Sequence, residues 1–81
     1  MVVTVKLFAS LRQLADADEY RITVAPGASA LEVKRLLAAR YPALGRLLPY
    51  ARLARNLEYQ SWDVPVQEGD ELAVIPPVSG G

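Results

Sequence analysis

One long helical repeat, bounded by both a start and a stop signal, limits what this 81-residue chain can fold into. Ser29-Ala30-Leu31-Glu32 reads as a capping box, in which the serine oxygen accepts from the third residue's N–H and the glutamate reaches back. Leu31, Val33, Leu36, Leu37 and Ala38 then form an apolar stripe, while Glu32, Lys34, Arg35 and Arg40 stay in water. The basic residues favour the later turns, which suits the helix dipole. Pro42 ends the helix at Tyr41, because the residue before a proline is pushed out of the α region. A single stripe of this kind has to be buried against something other than a second long helix.

The remaining apolar residues supply that something. Val3, Val5 and Leu7 alternate with Thr4, Lys6 and Phe8, the pattern of a half-buried strand over Val2 to Phe8. Ser10 to Ala15 reads as one or two helical turns, with Leu11 and Leu14 on one side, and Asp16-Ala17-Asp18 breaks it. Alternation resumes from Glu19 to Val24, with Tyr20, Ile22 and Val24 together, so the first two strands form an antiparallel hairpin with an enlarged connection. Pro26-Gly27 marks a turn. Ala43 to Arg52 is predicted to be one short helix and an irregular passage. Leu53 to Tyr59 reads as a strand interrupted by Asn56, and Trp62 to Val66 as a brief strand or loop around Pro65. Glu68-Gly69-Asp70 is a tight turn before a last strand, Glu71 to Ile75, with Leu72 and Val74 inward. Ala73 and Ile75 share the opposite face, as Lys6 and Phe8 do on the first strand. The predicted class is α+β, a mixed sheet with one long helix packed across one face.

Composition closes off most chemistry. The chain has no Cys and no His, which removes disulfides, a thiolate nucleophile, the usual general base and the commonest metal ligands. A hydrophobic fraction of 52% is ample for a core. Nine basic and nine acidic residues cancel, which argues against a nucleic-acid partner. No apolar run approaches membrane-spanning length, and the start lacks the pattern of a signal peptide, so a cytoplasmic setting is expected. Asp16 with Asp18, and Asp70 with Glu71, lie at turns or element edges where carboxylates are solvated. Gly27, Gly45 and Gly69 stand alone rather than in a phosphate loop. Asp63, Glu68 and Asp70 lack calcium-loop spacing, and no metal site is expected. Ser10, Ser29, Ser61 and Ser79 have no histidine to activate them.

What the chain can offer is its C-terminal carboxylate. After the last strand come Pro76-Pro77, which remove two N–H donors, and then Val78-Ser79-Gly80-Gly81. Residues 1–76 are expected to form the domain and 77–81 a projecting tail. Four residues beyond Pro77 reach roughly 13 Å when extended. Gly80 and Gly81 have no Cβ, so they could enter a channel too narrow for any other residue.

The run Glu68-Gly69-Asp70-Glu71-Leu72-Ala73-Val74-Ile75-Pro76-Pro77-Val78-Ser79-Gly80-Gly81 resembles the C-terminal signature of the small subunit of molybdopterin synthase, the MoaD-type sulfur carriers of the MoaD/ThiS family. Val5-Lys6-Leu7-Phe8-Ala9-Ser10-Leu11-Arg12 resembles that family's first strand and following turn, and Asn56 sits where members carry an asparagine. The resemblance implies a β-grasp, ubiquitin-like fold. It also implies that the Gly81 carboxylate is adenylated with ATP by a partner resembling ubiquitin-activating enzymes, and that a sulfur donor protein converts it to a thiocarboxylate. The large subunit of the synthase would then pass this sulfur to precursor Z to form the molybdopterin dithiolene. No cofactor is expected on this chain, which would act as the sulfur-donating rather than the catalytic subunit of a heterotetramer. By the same resemblance Phe8, Ile75, Pro76 and Tyr59 face the large subunit. Leu57 departs from the family, which commonly has a small or polar residue after the asparagine.

Two other functions fit a Gly-Gly end: a thiazole-synthesis sulfur carrier and a ubiquitin-like modifier joined to target lysines. Pro-Pro before the tail is seldom seen in the thiazole carriers.

Overall fold

A computed structural model describes residues 1–77. Its order is β1 (Val2–Leu7), α1 (Ala9–Ala15), β2 (Glu19–Thr23), α2 (Ala30–Arg40), two short 3-10 turns (Pro42–Leu44 and Leu48–Tyr50), β3 (Arg52–Arg55), β4 (Glu58–Gln60) and β5 (Glu71–Ile75). The strands form one five-stranded sheet in the order β2-β1-β5-β3-β4. β1 and β5 run parallel at its centre, and every other neighbouring pair is antiparallel. This is the expected α+β architecture, a β-grasp, ubiquitin-like mixed sheet with the long helix across one face.

The two-residue period sorts the side chains as the alternation predicts. Val3, Val5 and Leu7 on β1, Ile22 on β2, Leu53 on β3, and Leu72 and Val74 on β5 point to the helix layer and are buried. Ala30, Val33 and Leu37 of α2 meet them, with Leu11 of α1 and Leu44 and Leu48 of the 3-10 turns completing the core. Gly69 takes φ +82 in the turn before β5, where its N–H donates to the Val2 carbonyl at 3.0 Å. A residue with a Cβ would be strained there, so this glycine sets the point at which β5 joins β1.

Four details depart from the sequence reading. Ser29 is the N-cap residue of α2, but its side chain makes no capping hydrogen bond. Its backbone is held instead in a bridge to Pro65, with Ala30 N–H donating to Val64 O and Val66 N–H to Ala28 O, both at 2.9 Å. Glu32 does not reach back because Arg35 engages both its carboxylate oxygens at 2.8 Å, which holds the Glu32 carboxyl below its ordinary range. Second, the buried stripe of α2 is narrower than expected: Leu36 and Ala38 are half-buried, and Leu31 is 48% exposed. Leu14 of α1 is exposed as well, so that helix is anchored by Leu11, with Ala15 half-buried beside the core. Third, Leu53–Tyr59 is not one interrupted strand but the hairpin β3–β4, in which Arg55 pairs with Glu58 around the turn residues Asn56 and Leu57. Fourth, where one short helix and an irregular passage are expected over Ala43 to Arg52, the chain makes two 3-10 turns, Pro42–Leu44 and Leu48–Tyr50, each with a proline in its first turn.

The acidic residues near the end of the chain serve the fold. Asp70 Oδ2 accepts the Gln67 N–H at 2.8 Å and faces Arg55 at 3.9 Å, while Glu68 Oε1 accepts the Val2 N–H at 3.1 Å. Trp62, half-buried, donates its indole N–H to Ala51 O at 3.1 Å, and Lys34 lies 4.7 Å over its ring. Of the tail predicted at 77–81, Pro77 is exposed, and Val78, Ser79, Gly80 and Gly81 lie outside the described residues.

Truncating the central helix anchor tests this packing. Leu37→Ala is expected to lower unfolding free energy by about 2–5 kcal/mol, and Leu31→Ala by less than about 0.5 kcal/mol, read from chemical-denaturation midpoints.

Candidate protein interface

The sheet face away from α2 is left uncovered among the described residues, and its two halves differ in character. On the β2 side it is polar: Lys6 pairs with Glu19 at 3.2 Å, and Arg21 lies 3.9 Å from the same carboxylate. On the β5, β3 and β4 side it becomes an apolar depression lined by Phe8, Ala54, Leu57, Tyr59, Ala73 and Ile75, with Lys6 and Glu71 also on its lining. The floor is made of alanines because Ala54 pairs directly with Ala73 on one neighbour and with Tyr59 on the other. Small side chains at paired positions leave a hollow, and the larger residues around them become its walls.

Each wall is placed by a different local cause. Phe8 is the first residue after β1; it stays extended at φ −129 and continues the outward alternation of Thr4 and Lys6 before the chain turns at Ala9. Ala9 takes φ +48, a left-handed conformation rare for a residue with a Cβ, and so breaks the strand sharply enough for α1 to begin. Phe8 remains 46% exposed. Ile75 is the last residue of β5, half-buried, and pairs with Arg52. Tyr59 is 58% exposed on the edge strand, and the Arg52 guanidinium sits 4.0 Å over its ring, holding the phenol against the sheet by cation–π attraction.

The sequence therefore placed Phe8 and Ile75 on the correct face, and Tyr59 joins them. Pro76 is half-buried and Pro77 exposed directly after Ile75, so the segment that ends in Gly81 departs from the rim of this depression.

Leu57 is the residue that sequence reasoning set aside as a departure from pattern. It is 96% exposed and lines the same depression. Asn56 and Leu57 have φ values of 51 and 73, and positive φ at both central residues of a two-residue hairpin is the mark of a type I′ turn. Asn56 suits its place, since asparagine tolerates the left-handed region, and its N–H donates to Glu71 O at 3.1 Å, tying the turn to β5. Leucine does not suit the next place, where glycine is strongly favoured and a Cβ costs roughly 1–2 kcal/mol. The Asn56-Leu57 pair lacks the Asn-Gly signal that would have exposed the hairpin in the sequence.

Among the described residues no group of three or more acidic side chains lies close enough together to hold a metal ion, and no buried side-chain polar atom lacks a hydrogen-bond partner. Nor is any helix of the described residues long and apolar enough to cross a membrane. A polar pocket lined by Arg12, Gln13, Asp16, Ala17 and Asp18 lies at the end of α1, where Arg12 approaches Asp18 at 3.7 Å on the surface.

The chain is similar along its length to known proteins. The molybdopterin synthase sulfur carrier subunit of Arabidopsis thaliana is 34% identical over 79 residues, covering 98% of this chain and 82% of that protein. The crystal structure of SAMP1 from Haloferax volcanii, a small archaeal modifier protein, superposes with a TM-score of 0.89 at 31% identity over 100% of both chains. A putative molybdopterin converting factor subunit 1 from Pyrococcus furiosus does so with a TM-score of 0.87 at 31% identity, covering 96% of this chain and 99% of that one. The model of the ThiS family matches residues 5–81, from the middle of β1 through Gly81, and the chain belongs to that family.

Proposed function

We propose that this protein is the sulfur carrier subunit of a molybdopterin synthase. The observation that carries the reading is the placement of Phe8, Tyr59 and Ile75 in one uncovered apolar depression at the root of the segment that ends in Gly81. The likeness to the Arabidopsis carrier over almost the whole chain supports the same pathway.

The chemistry runs through the Gly81 carboxylate. An adenylating enzyme resembling ubiquitin-activating enzymes joins it to the α-phosphate of ATP, releasing pyrophosphate. The acyl-adenylate has the leaving group that a free carboxylate lacks. Sulfide equivalents from a sulfur donor protein displace AMP at the carbonyl carbon and leave a thiocarboxylate. Gly80 and Gly81 give the carbonyl an unhindered approach, with Val78, Ser79 and Pro77 as the stem. The large subunit then takes the tail, the sulfur passes to precursor Z, and water restores the carboxylate. Acids, bases and positioning come from the partners, which fits a chain without His or Cys. The carrier itself is the non-catalytic member of the complex, binds no cofactor of its own and works in the cytoplasm.

The likeness to the Haloferax modifier supports a second reading, in which the same activated carboxyl is joined to lysine amines of other proteins. The two share the adenylate and differ in the acceptor.

Intact mass after incubation with ATP, the adenylating enzyme and a sulfur source tests the carrier chemistry. A gain equal to exchange of one oxygen for sulfur is expected, and deletion of Gly81 should abolish it. The absence of any gain, with conjugates appearing on cellular proteins, would replace the carrier with the modifier. At the depression, Phe8→Ala and Ile75→Ala are each expected to weaken large-subunit binding about ten-fold by calorimetry. Phe8→Ala should lower unfolding free energy by less than about 1 kcal/mol, because the ring is already half in water.

A further inference from the structure

We infer that Leu57 is an additional contact of the large subunit, kept at a strained turn position because the partner buries it; this rests on the carrier reading above. Three observations meet at this residue. Its backbone sits at φ +73, where a branched aliphatic side chain is an outlier. Its side chain is 96% exposed, so no packing within the described residues offsets that strain. And the side chain lines the same depression as Phe8, Tyr59 and Ile75. Strain without internal compensation is characteristic of binding positions rather than of the fold.

The geometry also commits the occupant. The chain leaves β5 at Ile75, and four residues follow Pro77, a reach of roughly 13 Å when extended. A protein that encloses Gly81 therefore has to sit beside Ile75, and its nearest surface on this chain is the depression. The lining is apolar apart from Lys6 and Glu71, which suits a lasting subunit contact, depleted of charge at its centre, better than a brief encounter with the adenylating enzyme. Leu57, at the tip of the β3–β4 hairpin, extends that contact along the depression from Ile75 to the end beside Glu71. The hairpin is tied to β5 through the Asn56 N–H to Glu71 O bond, so the leucine is presented on a fixed support.

The test sets stability against affinity. Leu57→Gly is expected to raise the folding equilibrium constant about three-fold by relieving the positive φ, while weakening large-subunit binding about ten-fold. Leu57→Asn, which tolerates the left-handed region without a looser backbone, should weaken binding equally. Leu57→Met should bind within two-fold of the parent, and Leu31→Ala, on the helix layer, should bind unchanged. Calorimetric titration of each purified carrier variant with the purified large subunit reads these values. If Phe8→Ala weakens binding but Leu57→Gly and Leu57→Asn do not, the inference about Leu57 falls and the carrier reading stands. If Phe8→Ala is also without effect, the carrier interface itself falls and the inference with it. Loss of affinity for the adenylating enzyme alone would likewise overturn the assignment of the occupant.

Discussion

The parallel pairing of β1 with β5 is the contact on which the rest of the molecule depends. Thr4 to Leu7 align with Glu71 to Val74, joining segments near opposite ends of the chain at the centre of the sheet. Closing so long a loop costs conformational entropy, yet that cost grows only slowly with loop length. What offsets it is the burial of Val5, Leu7, Leu72 and Val74 in one layer beneath α2. Because strand side chains alternate, burying these four also decides the opposite face. Lys6, Phe8, Ala73 and Ile75 are turned outward by the same act of pairing, and Phe8 comes to lie near Ile75.

The outward face is therefore a consequence of the core, and its composition departs from what the core requires. A sheet with one wet face ordinarily alternates apolar-in and polar-out, as β2 does with Glu19, Arg21 and Thr23. Across β5, β3 and β4 most outward positions instead carry apolar side chains, Ala54, Ala73, Tyr59 and Ile75, with Arg52 and Glu71 beside them. The proposed contact with the large subunit falls on this exposed apolar concavity. Its polar neighbour, the cluster of Lys6, Glu19 and Arg21, limits the apolar area to the side from which the C-terminal segment leaves.

Much of this was legible from pattern alone. The two strands at the chain ends, the direction of Phe8 and Ile75, the long helix and its stop before Pro42 all follow from period, proline chemistry and length. The misreadings share a cause: local signals gave way to longer-range contacts. The capping box at Ser29 yielded to a backbone bridge with Pro65 and to the Glu32–Arg35 pair. Leu31 fitted the helical stripe but lies beyond the width that the sheet covers. The β3–β4 hairpin was hidden because its turn carries leucine where glycine gives the recognisable signal, leaving Asn56 to look like an interruption in one strand.

The sequence by itself determined the class of the fold, the absence of thiol and imidazole side chains from these 81 residues, and a final run of two prolines, a short stem and two glycines. These depend on residue identity and on periods that any short window displays. Only the tertiary structure decided that residues from β1, β3, β4 and β5, spread across the chain, close around one hollow. It also decided that Leu57, in the turn after Asn56, joins its lining. Such a surface is a property of strand order and register, which depend on the free energy of the whole core and are written in no single stretch of the chain.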